Sequence, residues 1–141
     1  MSDPFRAIDE STAGVTPNVW AQWLIYYVRA LAIISLIKGV FHWAQVCGIG
    51  DKTGYAFDAA PVAWKAATIF FAVIDLVAAI GLWLAAAWGG VVWLTAALSM
   101  TAVEVLFPDV FGGSFVVILM ECLAIAGYLG LALMASRETA E

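Results

Sequence analysis

The chain has 141 residues, of which 65% are hydrophobic and 12% charged, with a formal net charge of −5 and a mean hydropathy of +0.98. A soluble domain carries roughly a quarter of its residues as charges, so this composition excludes one and describes an integral membrane protein. It also excludes nucleic-acid binding, because the acids are scattered and no run of Lys or Arg is present.

The length allows about four spans of roughly 20 residues each, leaving one tail and one medium loop. Residues 1–18 form a polar tail, with Asp3, Pro4, Asp9, Glu10, Ser11 and Gly14. They lack a basic start, an apolar stretch and a small-residue cleavage site, so no cleaved signal peptide is expected. Thr16-Pro17-Asn18 reads as a helix start, with Pro in the first turn, where its missing N–H costs nothing. A first helix is predicted over 19–47. Trp20 and Trp23 suit one membrane interface and Trp43 the other, and Trp23 to Trp43 spans about 30 Å, one bilayer core.

Gly48, Gly50, Asp51, Gly54, Asp58 and Pro61 punctuate residues 48–63 without periodicity, so this is the longest loop, and its face of the membrane is the loop side. A second helix is predicted over 64–88, a tight turn at Gly89-Gly90, and a third helix over 91–107 with Trp93 in the aromatic belt of the opposite, tail side. Pro108 disfavours helix at Phe107 and opens the turn "FPDVFGG", and Ser114 caps a fourth helix over 114–136, followed by an exposed end at 137–141. The expected fold is an all-α integral membrane bundle of four transmembrane helices, up-down-up-down, with residues 19–136 as the domain that spans the lipid bilayer. An even number of spans puts both termini on one side. The basic residues are nearly balanced between sides, and cytoplasmic termini are expected because neither end resembles an export signal.

The polar residues inside the spans are the distinctive feature. The first helix carries Arg29, Lys38, His42 and Gln45, and each later helix carries one acid, Asp75, Glu104 or Glu121. Counted from the loop-side helix ends, Lys38 lies about 12 Å deep, Asp75 about 15 Å, Glu121 about 10 Å, and His42 and Glu104 about 6 Å. Lys38, His42 and Gln45 are four and seven apart and share a stripe, whereas Arg29 is nine residues from Lys38 and faces about 180° away. An isolated charge at the centre of a transmembrane helix costs about 2.5–3.5 kcal/mol on insertion scales. The stripe is therefore expected to turn inward and meet the three acids as a buried polar cluster, with at least one acid protonated because at most two positive charges face three potential negative ones. Arg29 is expected to snorkel or to contact a partner protein or a lipid headgroup.

Three roles compete for the cluster: interhelical glue, a proton or ion relay, and a metal site of His42 with Glu104 and Glu121, for which one His and two carboxylates are a weak donor set. Motifs of nucleophilic, zinc-protease and phosphate-loop chemistry are absent from the sequence, so no enzyme activity, catalytic residue, metal or cofactor is expected. Cys47 and Cys122 lie in different helices without C-x-x-C spacing. Ser35-x-x-x-Gly39 and Ala126-x-x-x-Gly130 are small-residue pairs suited to close helix approach or to an oligomer or partner interface. The alanines of Val77–Ala87 suit tight packing against the third helix.

"PVAWK" before the second helix, "VAAIGLWLAAAWGGVVWL" across the following turn, and Glu104 with Phe107-Pro108 and Phe111-Gly112 resemble a family of small four-helix inner-membrane proteins of alphaproteobacteria, domain of unknown function 6163. The resemblance covers roughly Tyr26 to Leu133 and implies a bacterial inner-membrane location without an activity. The layout of four spans with a long first loop is also similar to DoxX-like proteins. Small size and minimal loops lead to the expectation of a non-enzymatic accessory or interaction subunit, with a homo-oligomer or a larger membrane protein as partner. The alternative is a small proton-coupled or ion-conducting protein built on the polar cluster.

Overall fold

The computed structural model of the chain describes residues 18–49 and 57–140. Most of the expected tail and the centre of the first loop lie outside the described residues. Four long helices, α1 (Val19–Val46), α2 (Val62–Trp83), α3 (Ala87–Leu106) and α4 (Phe115–Ala140), are all long and apolar enough to cross a membrane. A short 3-10 helix, Phe57–Ala59, precedes α2, and a single helical turn, Pro108–Phe111, precedes α4. No strand occurs among the described residues. The fold is all-α with four candidate spans.

Helix α1 packs beside α2 and α4, and α3 packs beside the same two, so the helices close into a four-cornered bundle. The start of α1 meets the end of α4, where the Asn18 side-chain amide donates to the Ala135 carbonyl at 3.0 Å. Both termini of the bundle are therefore at one end. Asn18 is also the N-cap of α1, its side-chain oxygen accepting from the Ala21 N–H at 2.8 Å. That bond satisfies a donor the helix itself leaves open. The helix thus starts at Val19, directly after Asn18.

The turn between α2 and α3 corrects the sequence expectation. It lies at Leu84–Ala86, so Gly89 and Gly90 sit within α3 and Trp88 belongs to α3 instead of α2. Ala85 adopts the left-handed conformation at φ 50°, its N–H donates to the Leu82 carbonyl at 2.9 Å, and the Ala86 N–H donates to the Gly81 carbonyl at 3.0 Å. This pair of bonds is the Schellman closure, which usually has Gly at the position Ala85 holds. The glycines serve instead where the helices cross, because a Cβ on Gly81 would lie 2.5 Å from the Gly89 Cα. Backbone contact between α2 and α3 requires both positions to lack a side chain.

Small residues set the packing elsewhere as well. Ala78, Ala96 and Ala97 are buried at 1% exposure or less. Gly39 receives Leu76 of α2, whose side chain a Cβ would meet at 2.8 Å. In lipid the hydrophobic effect does not drive helices together, so this close packing supplies much of the association. The space left by the alanines is filled by Val28, Leu31, Leu82 and Trp93. Trp93 is 4% exposed and meets the Tyr128 ring edge-on at 5.6 Å. It is a core residue and not part of the aromatic belt, because the Ala-rich helix faces leave room for a large ring. Trp20, Trp23, Trp43, Trp83 and Trp88 remain exposed.

Helix α4 is attached differently. Among its residues whose burial is described, only Ala135 is buried. Polar contacts tie it to α1: the Tyr27 hydroxyl donates to the Ala124 carbonyl at 2.7 Å, alongside the Asn18 to Ala135 bond and an ion pair described below.

Candidate functional site

The polar side chains of the spans come from all four helices. On α1, Lys38 and His42 are one turn apart, so both project from one side of the helix. Lys38 Nζ lies 2.5 Å from Glu121 Oε1 of α4, a charge-assisted contact across the bundle, with side-chain exposures of 27% and 12%. His42 Nε2 is 4.0 Å from Asp75 Oδ2 of α2. That separation is too long for a hydrogen bond. Gln45 lies beside the imidazole, and the Phe71 ring sits 5.7 Å from it at an interplanar angle of 31°.

Asp75 and Glu104 are the most enclosed carboxyl groups, at 1% and 4% exposure. Lys38 and Glu121 act electrostatically on both of them. Asp75 lies deeper than the sequence reading put it. Because α2 runs from Val62 to Trp83, Asp75 is about 20 Å from the loop-side start of its helix and about 12 Å from its tail-side end. Moving the turn forward shifts Asp75 past the midpoint of its span.

Among the described residues, three polar atoms of this group have no hydrogen-bond partner: His42 Nδ1, Asp75 Oδ2 and Glu104 Oε2. Most buried side-chain polar atoms in proteins have at least one. Such an atom in a low-dielectric interior costs about 1–3 kcal/mol, and more if its group is charged. Chemically, the site combines a charge-paired amine and carboxylate with an imidazole and two carboxyl groups whose hydrogen bonding is incomplete. All of these groups exchange protons. No group of three or more His, Cys, Asp and Glu side chains suited to a metal ion forms among the described residues. Cys47 and Cys122 are free and exposed.

Arg29 lies outside this cluster. It is exposed on α1, and its guanidinium carbon is 5.9 Å from the centre of the Trp83 ring, within cation–π range. Sequence reasoning missed two further polar residues. Tyr27 bonds α1 to α4 through its hydroxyl; its place on α1 is legible, but its partner is a backbone carbonyl 97 residues away. Thr68, 3% exposed, satisfies its hydroxyl on the Trp64 carbonyl one turn earlier at 2.8 Å. A Thr in an apolar helix is a general signal of that local bond.

The chain matches the family model described as Family of unknown function (DUF6163) over residues 22–139, and it belongs to that family. The match takes in all four helices almost completely. Neither the curated proteins nor the solved structures contain a match.

Proposed function

We propose that this member of a family of unknown function is a small, non-enzymatic proton-handling protein of a bacterial inner membrane. Its proton-binding groups are His42, Asp75 and Glu104, with Lys38 and Glu121 setting the local field. The observation that carries the reading is the incomplete hydrogen bonding of Asp75, Glu104 and His42 inside the bundle. Polar residues that act only as interhelical glue are expected to satisfy one another. An enclosed carboxylate with an unmade bond bears the desolvation cost of its charge, and binding a proton removes that charge. Intramembrane acids beside a Lys and a His are the groups that proton paths employ. The all-helical spans support an inner rather than an outer membrane, whose spanning proteins are closed β-barrels. Both termini are assigned to the cytoplasm.

Proton uptake by purified protein in liposomes containing a trapped pH dye tests the reading. After an external acid step, the wild type is expected to acidify the lumen faster than empty vesicles. Asp75→Asn should lose about a hundredfold or more in rate, the lower end of the range for a positioned proton-transfer group. Rates equal to those of empty vesicles for the wild type, or full activity in both Asp75→Asn and Glu104→Gln, would sink the proposal.

A second reading, an accessory subunit of a membrane assembly, is favoured by one observation on α4. Ala126 and Gly130 are exposed, and a Cβ on Gly130 would meet nothing within 4 Å. Among the described residues, the Gly130 position therefore packs against no other helix, unlike Ser35 and Gly39, which are buried, Gly39 against Leu76 of α2. Mass measurement after gentle detergent extraction distinguishes the cases: a complex in the wild type that Gly130→Leu dissociates supports the subunit reading, and a monomer in both refutes it.

A further inference from the structure

Helices α1 and α2 enclose a groove separate from the polar cluster. It has a volume of about 450 Å³ and is lined by Ala32, Ile33 and Leu36 of α1 and Ala79, Ile80 and Trp83 of α2. Almost all of its surface is apolar. Ile33, Ile80 and Trp83 are half-exposed or more, so the groove opens outward from the bundle, while buried Ala32 and Ala79 form its floor. Trp83 belongs both to the groove wall and to the cation–π contact with Arg29. Arg29 stands one helical turn before Ala32 and Ile33 and so heads the groove.

The depth of that head follows from the adjoining turn. Trp83 is the last residue of α2, followed directly by the non-helical segment Leu84–Ala86. Non-helical backbone facing lipid is not tolerated inside the hydrocarbon, so this turn marks the membrane boundary on the tail side. The Arg29 guanidinium, 5.9 Å from the Trp83 ring centre, is therefore placed at headgroup level, with the groove extending from it into the bilayer. The boundary on α1 thus falls near Arg29 rather than at Trp23 as the sequence expectation had it. A guanidinium carries five N–H donors in a fork that matches a phosphate. The ion contacts formed among the described residues are Lys38 with Glu121 and His42 with Asp75, and neither involves Arg29.

We infer that this groove is a binding site for one anionic phospholipid of the tail-side leaflet. Arg29 binds the phosphate, Trp83 orients the guanidinium beneath the headgroup, and an acyl chain lies over Ala32 and Ala79. A cation at the boundary, continuous with an apolar slot running inward, matches the division of such a lipid into charged head and apolar tail. The inference does not depend on the proton-handling reading.

Native mass spectrometry of the purified protein after titration with phosphatidylglycerol or phosphatidylcholine of identical acyl chains tests it. The wild type is expected to bind the first phosphatidylglycerol about fivefold more tightly, the size of one basic residue's contribution at an anionic surface. Arg29→Gln should abolish the preference and Arg29→Lys should keep most of it. Ala79→Trp, which fills the floor, should weaken that first binding event while Arg29 is intact. Equal binding of the two lipids by the wild type overturns the inference without any variant. A preference that survives Arg29→Gln also overturns it, as does a dimer that Ala79→Trp dissociates, since the groove's occupant would then be a second copy of the chain.

Discussion

Lys38 and Glu121 join α1 to α4 across a bundle in which α4 has little buried surface of its own. Removing one partner leaves the other charge enclosed, so Lys38→Met and Glu121→Gln should each destabilise the protein. The double variant should lose less than the sum. The expected coupling energy is about 1 kcal/mol, near the upper part of the range for polar pairs in membrane helices, and a double-mutant cycle by reversible denaturation in detergent measures it. Additive losses would mean that the contact contributes nothing beyond its separate side chains. The i, i+4 spacing of Lys38 and His42 made their common face legible from sequence. Which acid each would meet was not legible. Helix α4 is apolar around most of its circumference, so nothing in its pattern fixes the rotation that turns Glu121 toward Lys38, 83 residues away.

At the scale of elements, the α2–α3 hairpin carries two linked predictions. Gly81→Ala places a methyl group against the Gly89 backbone, which cannot rearrange as a flexible side chain can. Overpacking of this kind costs about 1–3 kcal/mol, and a lower Tm in detergent checks it. Ala85→Gly should act in the opposite direction. It relieves a left-handed alanine, a conformation costing an L-residue about 1–2 kcal/mol, while the unfolded chain gains freedom worth about half of that. A net stabilisation of about 0.5–1 kcal/mol is expected from the same melts, and an unchanged or lower Tm would count against strain at this turn. The sequence reading put the turn at Gly89-Gly90 because paired glycines are strong local breakers. In the folded chain those positions answer tertiary demands, Gly89 the close crossing with Gly81 and Gly90 the approach of the Tyr128 ring and hydroxyl, and the turn falls on alanines whose local preference is weak.

For the whole molecule, the arrangement places Cys47 at the end of α1 opposite Ser136 near the end of α4. In a Cys122→Ala background, a membrane-impermeant maleimide should reach Cys47 from one side of the membrane only. The variant Cys47→Ala/Cys122→Ala/Ser136→Cys should react only from the other. With cytoplasmic termini, Cys47 is the residue labelled from the outside of spheroplasts. The reverse pattern would invert the orientation, and labelling of both positions from one side would contradict the up-down-up-down fold. Composition and long apolar runs determined by themselves that the chain is helical with four candidate spans, because only helices and closed barrels can satisfy their backbone in lipid. They also identified the polar residues that need explaining, since a charge in an apolar run is costly wherever its helix packs. Only the tertiary structure decided which charges meet, that Trp93 is core, that Asp75, Glu104 and His42 keep unmade hydrogen bonds, and that Arg29 stands over Trp83 at the head of an apolar groove. Those outcomes depend on helix rotation and crossing, which small residues set through contacts between segments distant in the chain.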